Sequence, residues 1–309
     1  MRKFLSALCV VAVLVFGAGP AQAGFIPIND PNGTYGTFAF GISGNTVVGG
    51  YFDGIGTRGF IYDGTTYTTV VDPNAVESTA LSGISGNTVV GTYTDANGGN
   101  HAFMYDGTTF TTLEVPNIAV GSTMAHGISG STVVGSYGDS SGTHGFIYNG
   151  TTYTTLNVPN ASFTDAFGIS GNTVVGDYQD ANGNFDGFIY NGATYTTLNV
   201  PNSTATYATG VSGSTVVGYY TNASGTHGFT YDGTTYTTLD VPNGVNTAAF
   251  GISGDTVVGF YEDSSGNGSS ANYHGFIFTP VPAPSGLILA VIGAATLMGF
   301  GWLRGKRAG

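Results

Sequence analysis

Gly127-Ile128-Ser129-Gly130-Ser131-Thr132-Val133-Val134-Gly135 is one of six copies of a nonapeptide, Gly-Ile-Ser-Gly-x-Thr-Val-Val-Gly. The other copies begin at Gly41, Gly83, Gly168, Gly210 (with Val211 for Ile) and Gly251. Successive starts lie 42, 44, 41, 42 and 41 residues apart. A near-constant period of this size is one supersecondary unit repeated along the chain. Such a unit cannot bury its apolar face alone, so the copies must pack on one another.

Reading outward from Gly127 gives four strands per copy. Residues 125–128 form a short first strand, and Ser129-Gly130-Ser131 turns the chain. Residues 132–137 are β-branched and aromatic, which suits a second strand. A polar loop at 138–143 leads to a third strand at 144–148. Asn149-Gly150 predicts a two-residue type I′ turn, with both residues at positive φ. Residues 151–158 form a fourth strand, and Pro159 ends it because proline cannot donate to a ladder. No segment between the termini keeps a helical period.

Four antiparallel strands per ~42 residues match a propeller blade. The last copy stops at Thr279-Pro280 without its fourth strand. The stretch Phe25-Ile26-Pro27-Ile28-Asn29-Asp30-Pro31-Asn32 matches Thr238-Leu239-Asp240-Val241-Pro242-Asn243 and supplies it. Pairing the two ends closes a ring and removes the exposed sheet edges. The expected fold is therefore all-β: a six-bladed β-propeller of four-stranded blades over residues 24–280, followed by a C-terminal transmembrane helix.

The ends read as addresses. Residues 1–23 have the form of a secretory signal peptide: Arg2 and Lys3, an apolar stretch, and Ala21-Gln22-Ala23 as the cleavage site. Residues 281–309 begin with Val281-Pro282-Ala283-Pro284-Ser285, continue as an apolar run at 286–303, and end in Arg304, Lys306 and Arg307. The run is just long enough to span a bilayer, and the basic tail should stay cytoplasmic.

Only 8% of residues are charged, against roughly 25% in an average soluble domain. Residues 24–280 hold one base, Arg58, against all 18 acids, a net of −17. Such a surface repels nucleic-acid phosphates and anionic lipid headgroups, so no nucleic-acid partner is expected. The lone cysteine, Cys9, excludes disulfides and cysteine-based metal sites from the repeats.

His101, His144, His227 and His274 share one repeat position, which Arg58 and Asp186 fill in the other copies. A residue that recurs in this way belongs to the repeat, and a bond to a neighbouring loop backbone is its expected use. His126 stands alone, at a position held elsewhere by Phe40, Ser82, Phe167, Thr209 and Phe250. If the first strand lines a central channel, His126 faces it. Asp53, Asp95, Asp139, Asp180, Asn222 and Asp263 open the loop between the second and third strands. Asx side chains there cap turns. The alternative use of Asp53, Asp95, Asp139, Asp180 and Asp263 is calcium ligation, although the loops lack the carboxylate-rich spacing of an EF-hand. No other cofactor is implied. No phosphate-binding glycine loop and no nucleophile elbow is present.

Two resemblances follow from these motifs. Asn100-His101-Ala102-Phe103, Thr143-His144-Gly145-Phe146, Thr226-His227-Gly228-Phe229 and Tyr273-His274-Gly275-Phe276 resemble the bacterial HAF-type extracellular repeats. The proline motif, single helix and basic tail resemble a PEP-CTERM sorting signal, with Ala283 where that family has Glu. The second resemblance implies a Gram-negative bacterium, export across its inner membrane, and an exosortase-type processing enzyme as partner. It also implies membrane attachment through the C-terminal helix before processing, then the cell surface or an exopolysaccharide matrix.

The functional expectation is a non-catalytic structural or binding protein of the envelope or matrix. Its exopolysaccharide contacts would come from the linkers at 116–124, 159–165 and 201–207. The alternative is a polysaccharide-acting enzyme at the channel mouth, dependent on a copy-specific acid such as Asp165 or Glu77.

Overall fold

The computed structural model describes residues 24–118, 122–263 and 273–280. The expected signal peptide, sorting motif, C-terminal helix and basic tail lie outside the described residues. Among the described residues no helix is long and apolar enough to cross a membrane. Phe25–Thr279 forms one compact unit.

Among the described residues all regular structure is β, in twenty-four strands. The third copy shows the pattern: Thr123–Ser129, Thr132–Asp139, Gly142–Tyr148 and Tyr153–Leu156, each antiparallel to the next. The first turn is a two-residue loop between paired Ser129 and Thr132. Its first residue, Gly130, has φ 60, which suits glycine and the type II′ hairpin.

The second turn differs from expectation. Tyr148 pairs with Tyr153, so the loop spans four residues, 149–152. Gly150 has φ 97, while Asn149 keeps a negative φ. The Asn149 side chain explains the longer loop: its Oδ1 accepts the backbone N–H groups of Thr151 and Thr152, at 3.0 and 2.9 Å. An Asx turn thus replaces the type I′ turn.

The sheet count also differs from six separate sheets. Four sheets have four strands, and the third and fourth copies share one sheet of eight. A single parallel pairing, Thr143 with Phe163, joins their two meanders. The short linker after Pro159 lays the start of Phe163–Ser170 beside the start of Gly142–Tyr148, close enough to continue the ladder.

Each sheet buries the same side chains. Phe60, Phe103, Phe146, Phe188, Phe229 and Phe276 are fully buried, each clustered with the first valine of its own Thr-Val-Val and the second valine of the preceding copy. Neighbouring copies touch along their first strands. A Cβ on Gly127 would lie 2.4 Å from the Phe167 carbonyl oxygen, so only glycine permits this approach. The same contact passes from Gly41 to the second copy and returns from Gly251 to Phe40 and Gly41. A belt of hydrogen bonds runs alongside. The amide of Gly130 donates to Ser85 Oγ at 3.0 Å, and that of Gly44 to Ser253 Oγ at 3.1 Å across the closure.

The N-terminal strand Gly24–Ile28 pairs with Tyr273–Thr279 and completes the last sheet. Phe25 packs its ring on Phe276 and Phe278, at 5.3 and 4.7 Å. Asn29 Oδ1 lies 3.0 Å from His274 Nδ1.

Candidate binding site in the central channel

Every first strand carries a β-bulge just before its motif glycine, as between Ala125 and Gly127. A bulge leaves one residue unpaired and re-aims its side chain. The bulged residues are Phe40, Ser82, His126, Phe167, Thr209 and Phe250, and all six line one cavity. The repeat thus builds a central channel and points one copy-specific side chain into it from each copy.

Two further positions face the same space. One lies two residues before the bulge: Ala80 and Met124 line a cavity of about 290 Å³ with His126 and Phe167. Ala248 at that position lines a second cavity, of about 220 Å³. The other follows the last motif glycine: Thr92 lines the first cavity, and Tyr219 and Phe260 the second.

A row of aromatic rings runs into this wall, and Tyr219, Phe250 and Phe260 of the row line it. Phe163 contacts Phe185 at 5.6 Å, Phe185 contacts Tyr207 at 5.7 Å, and Tyr207 stacks on Tyr219 at 4.7 Å. The row continues from Tyr219 to Phe250 at 5.7 Å, from Phe250 to Phe260 at 5.3 Å, and from Phe260 to Phe38 at 5.0 Å.

The fourth copy has a carboxyl group at each of these two positions. Asp165 and Asp177 are cross-strand partners, 6% and 3% exposed. Burial, and then the charge of Asp165, hold Asp177 well above the usual carboxylate range. Tyr207 is pushed up by burial and by Asp177. Tyr219 is raised in the same way, by burial and then by Asp177, Tyr207 and Asp165. Asp165 Oδ1 lies 3.3 Å from His126 Nε2, but the two are not aligned as a hydrogen bond, and the oxygen has no hydrogen-bond partner. The His126 ring stacks on Phe167 at 4.6 Å, and Ser136 Oγ lies 3.5 Å from its Nε2.

His126 and Asp165, singled out in the sequence, therefore meet in the channel. Glu77 is exposed in the linker before Ser78–Ser85 and stands apart from the buried pair. The linkers ending at Met124, Asp165 and Tyr207 deliver those residues to the wall, although 119–121 lie outside the described residues. Asp177 and the aromatic row were missed. A signal existed: the residue after Thr-Val-Val-Gly reads Gly50, Thr92, Ser136, Asp177, Tyr219 and Phe260, while the next is always tyrosine.

The recurring histidines bond side chains, not loop backbones. His144 lies between Asp139, with Nε2 3.1 Å from Oδ1, and Asn157, with Nδ1 3.0 Å from Oδ1. His227 reaches Ser224 and Asp240 in the same way, and His101 lies between Asp95 and Glu114. Each histidine ties a hairpin loop to the end of a fourth strand. Arg58 holds Asp53 at 3.1 Å, and Asn199 donates to Asp186 at 2.6 Å.

The aspartates of these loops act as turn caps. Asp53 accepts the amides of Ile55 and Gly56, Asp95 those of Asn97 and Gly99, and Asp180 those of Asn182 and Asn184. The amides of Gly99 and Asn97 hold Asp95 down at about 2. The Ser141 hydroxyl and amide do the same for Asp139. Asp263 lies 3.3 Å from His274. Among the described residues no group of three or more His, Cys, Asp or Glu is placed to hold a metal ion.

No protein-family model matches the sequence, and no curated protein does. Among solved structures, the chain is similar to the Aleuria aurantia lectin, solved as a mutant in complex with Fucα1-6GlcNAc. The identity is 15%, covering 83% of this chain and 100% of the lectin, with a TM-score of 0.51. It is also similar to a mutant of AofleA from Arthrobotrys oligospora, at 13% identity over 82% of this chain and 90% of that one, with a TM-score of 0.51. The chain is an all-β propeller. Identities this low speak to the fold alone, because one fold hosts many functions.

Proposed function

We propose that this propeller is a non-catalytic carbohydrate-binding protein and that its ligand enters the central channel. One observation carries the reading. The motif strands repeat nearly unchanged, yet the side chains beside their bulges and after their last glycine differ from copy to copy, and an aromatic row with two carboxyl groups results. Aromatic faces cover the apolar face of a sugar ring, while carboxylates and hydroxyls accept and donate to its hydroxyls. The lectin similar in fold was solved with a fucosylated saccharide. That is a property of the lectin, in keeping with this reading.

The ring in this proposal has six blades, with the eight-stranded sheet counting as two. The cycle of glycine approaches and Ser–Gly hydrogen bonds supports that count. We further propose export, sorting through the PEP-CTERM-like tail by an exosortase-type enzyme, and a place at the bacterial surface or in its exopolysaccharide. The terminal motifs support these steps.

The test is co-sedimentation of the protein with exopolysaccharide from the producing bacterium, with and without EDTA. Tyr207→Ala and Tyr219→Ala should each weaken binding about tenfold or more, the scale of a lost stacking partner. EDTA should change nothing, and loss of binding with EDTA would return calcium to the Asp loops. Equal binding by both variants would remove the channel as the site.

A second reading, hydrolysis of the polysaccharide, is favoured by the placement of His126 beside the Asp165–Asp177 pair. New reducing ends that vanish in Asp165→Asn would establish it.

A further inference from the structure

We infer that the channel binds a sugar bearing a free amino group, with the ammonium ion received between Asp165 and Asp177. The inference rests on the carbohydrate reading and narrows its ligand class.

Two carboxyl groups facing each other across one strand pair repel if both ionise, and burial deepens the penalty. Nothing in the repeat requires the pair. The same two positions are Ala80 and Thr92 in the second copy, and Met124 and Ser136 in the third. A group placed against its own stability, at a position that lines the cavity in sister copies, points to a ligand. Asp165 Oδ1 also lacks a hydrogen-bond partner despite near-complete burial.

For both groups to ionise, a donor must come from outside the pair, and preferably a cation. An ammonium ion supplies three N–H donors and one positive charge, enough to bridge both carboxylates. The groups around the pair agree. Tyr207 and Tyr219 come from the next copy, His126 and Ser136 from the previous one. None is a fixed cation that already neutralises the carboxylates. The Tyr207 and Tyr219 rings add faces that attract a cation. The adjoining cavities, of about 290 and 220 Å³, are at or below the small end of ligand pockets, roughly 300 Å³. They suit one terminal sugar residue better than a length of chain.

Binding carries a proton signature. Asp177 stays protonated above the usual carboxylate range in the free protein. An arriving ammonium ion favours its ionised form, so uptake of the ligand releases a proton.

The experiment is titration calorimetry of the protein with glucosamine, N-acetylglucosamine, lysine and putrescine at pH 6, in two buffers of different ionisation enthalpy. The expected result is binding of glucosamine about tenfold or more tighter than N-acetylglucosamine, the scale of a charged hydrogen bond. Proton release should accompany it. Asp165→Asn, an isosteric change, should remove the preference, and Asp177→Asn should remove the proton release. Near-ultraviolet circular dichroism checks that both variants fold. Equal affinity for the two sugars overturns the amine assignment and leaves the carbohydrate reading standing. Lysine or putrescine binding as well as glucosamine overturns the sugar assignment. No binding by any of the four overturns the whole inference, and exopolysaccharide co-sedimentation then decides the broader reading separately.

Discussion

Replacing Asp177 with asparagine should stabilise this protein near neutral pH. Asp177 is 3% exposed and faces Asp165 across the strand pair, with Tyr207, Tyr219 and His126 nearby. Burial and the Asp165 charge favour its protonated form in the folded state. In the unfolded chain it ionises with an ordinary value of about 4. The folded value is thus the higher one. Its stabilising share is fully present below pH ~4 and falls as pH rises toward the folded value, because the unfolded chain gives up the proton first. The slope of that loss is about 1.4 kcal/mol per pH unit for one group. A slope of this size over even part of the pH range is sizeable against a typical 5–15 kcal/mol stability. Asparagine keeps the shape and cannot ionise. Urea unfolding of the wild type and Asp177→Asn at pH 4, 5, 6 and 7 reads the effect directly. The wild type should lose stability over this range more steeply than the variant, and the curves should diverge with pH. Parallel curves would mean that Asp177 is ionised in the folded protein and that the buried-acid argument is wrong.

Four other changes probe the fold. Phe146→Ala empties a fully buried site and should cost about 3–5 kcal/mol in urea unfolding. Gly127→Ala sets a methyl group 2.4 Å from the Phe167 carbonyl oxygen; a loss of about 1–3 kcal/mol is expected, read as a lower Tm. Removing residues 24–29 strips the strand that completes the last sheet, so limited proteolysis should then cut first within residues 256–279. His101, whose burial is outweighed by hydrogen bonds to Glu114 and Asp95, sits above the usual histidine value. Its contribution should be complete below pH ~6.5 and fade as pH rises through the folded value, a dependence that His101→Gln should abolish in thermal melts.

The strand pattern was open to reading because it is local. Thr-Val-Val favours extended backbone, and Ser-Gly and Asn-Gly mark the reversals between strands. Asn149-Gly150 nevertheless misled in detail: the Asn149 side chain captured two amides and opened a longer loop. No dipeptide rule records that competition. The join of the third and fourth copies depends on where Phe163 comes to rest beside Thr143, a contact between elements that local sequence does not specify.

The site divides the same way. His126 stood out because its repeat position is otherwise phenylalanine, serine or threonine. Asp177 was passed over because, read along the chain, it is one more acid among 18. Only the strand pairing that sets it opposite Asp165 makes it unusual.

Repetition, strand order and the supply of the final strand from the chain's own beginning are therefore written in the sequence, since each follows from local propensity and a period. Which side chains share the channel, which acid holds its proton and which oxygen lacks a partner emerge only when the copies close around one axis. Burial and electrostatic coupling belong to distances between copies, and those distances exist only in the folded chain.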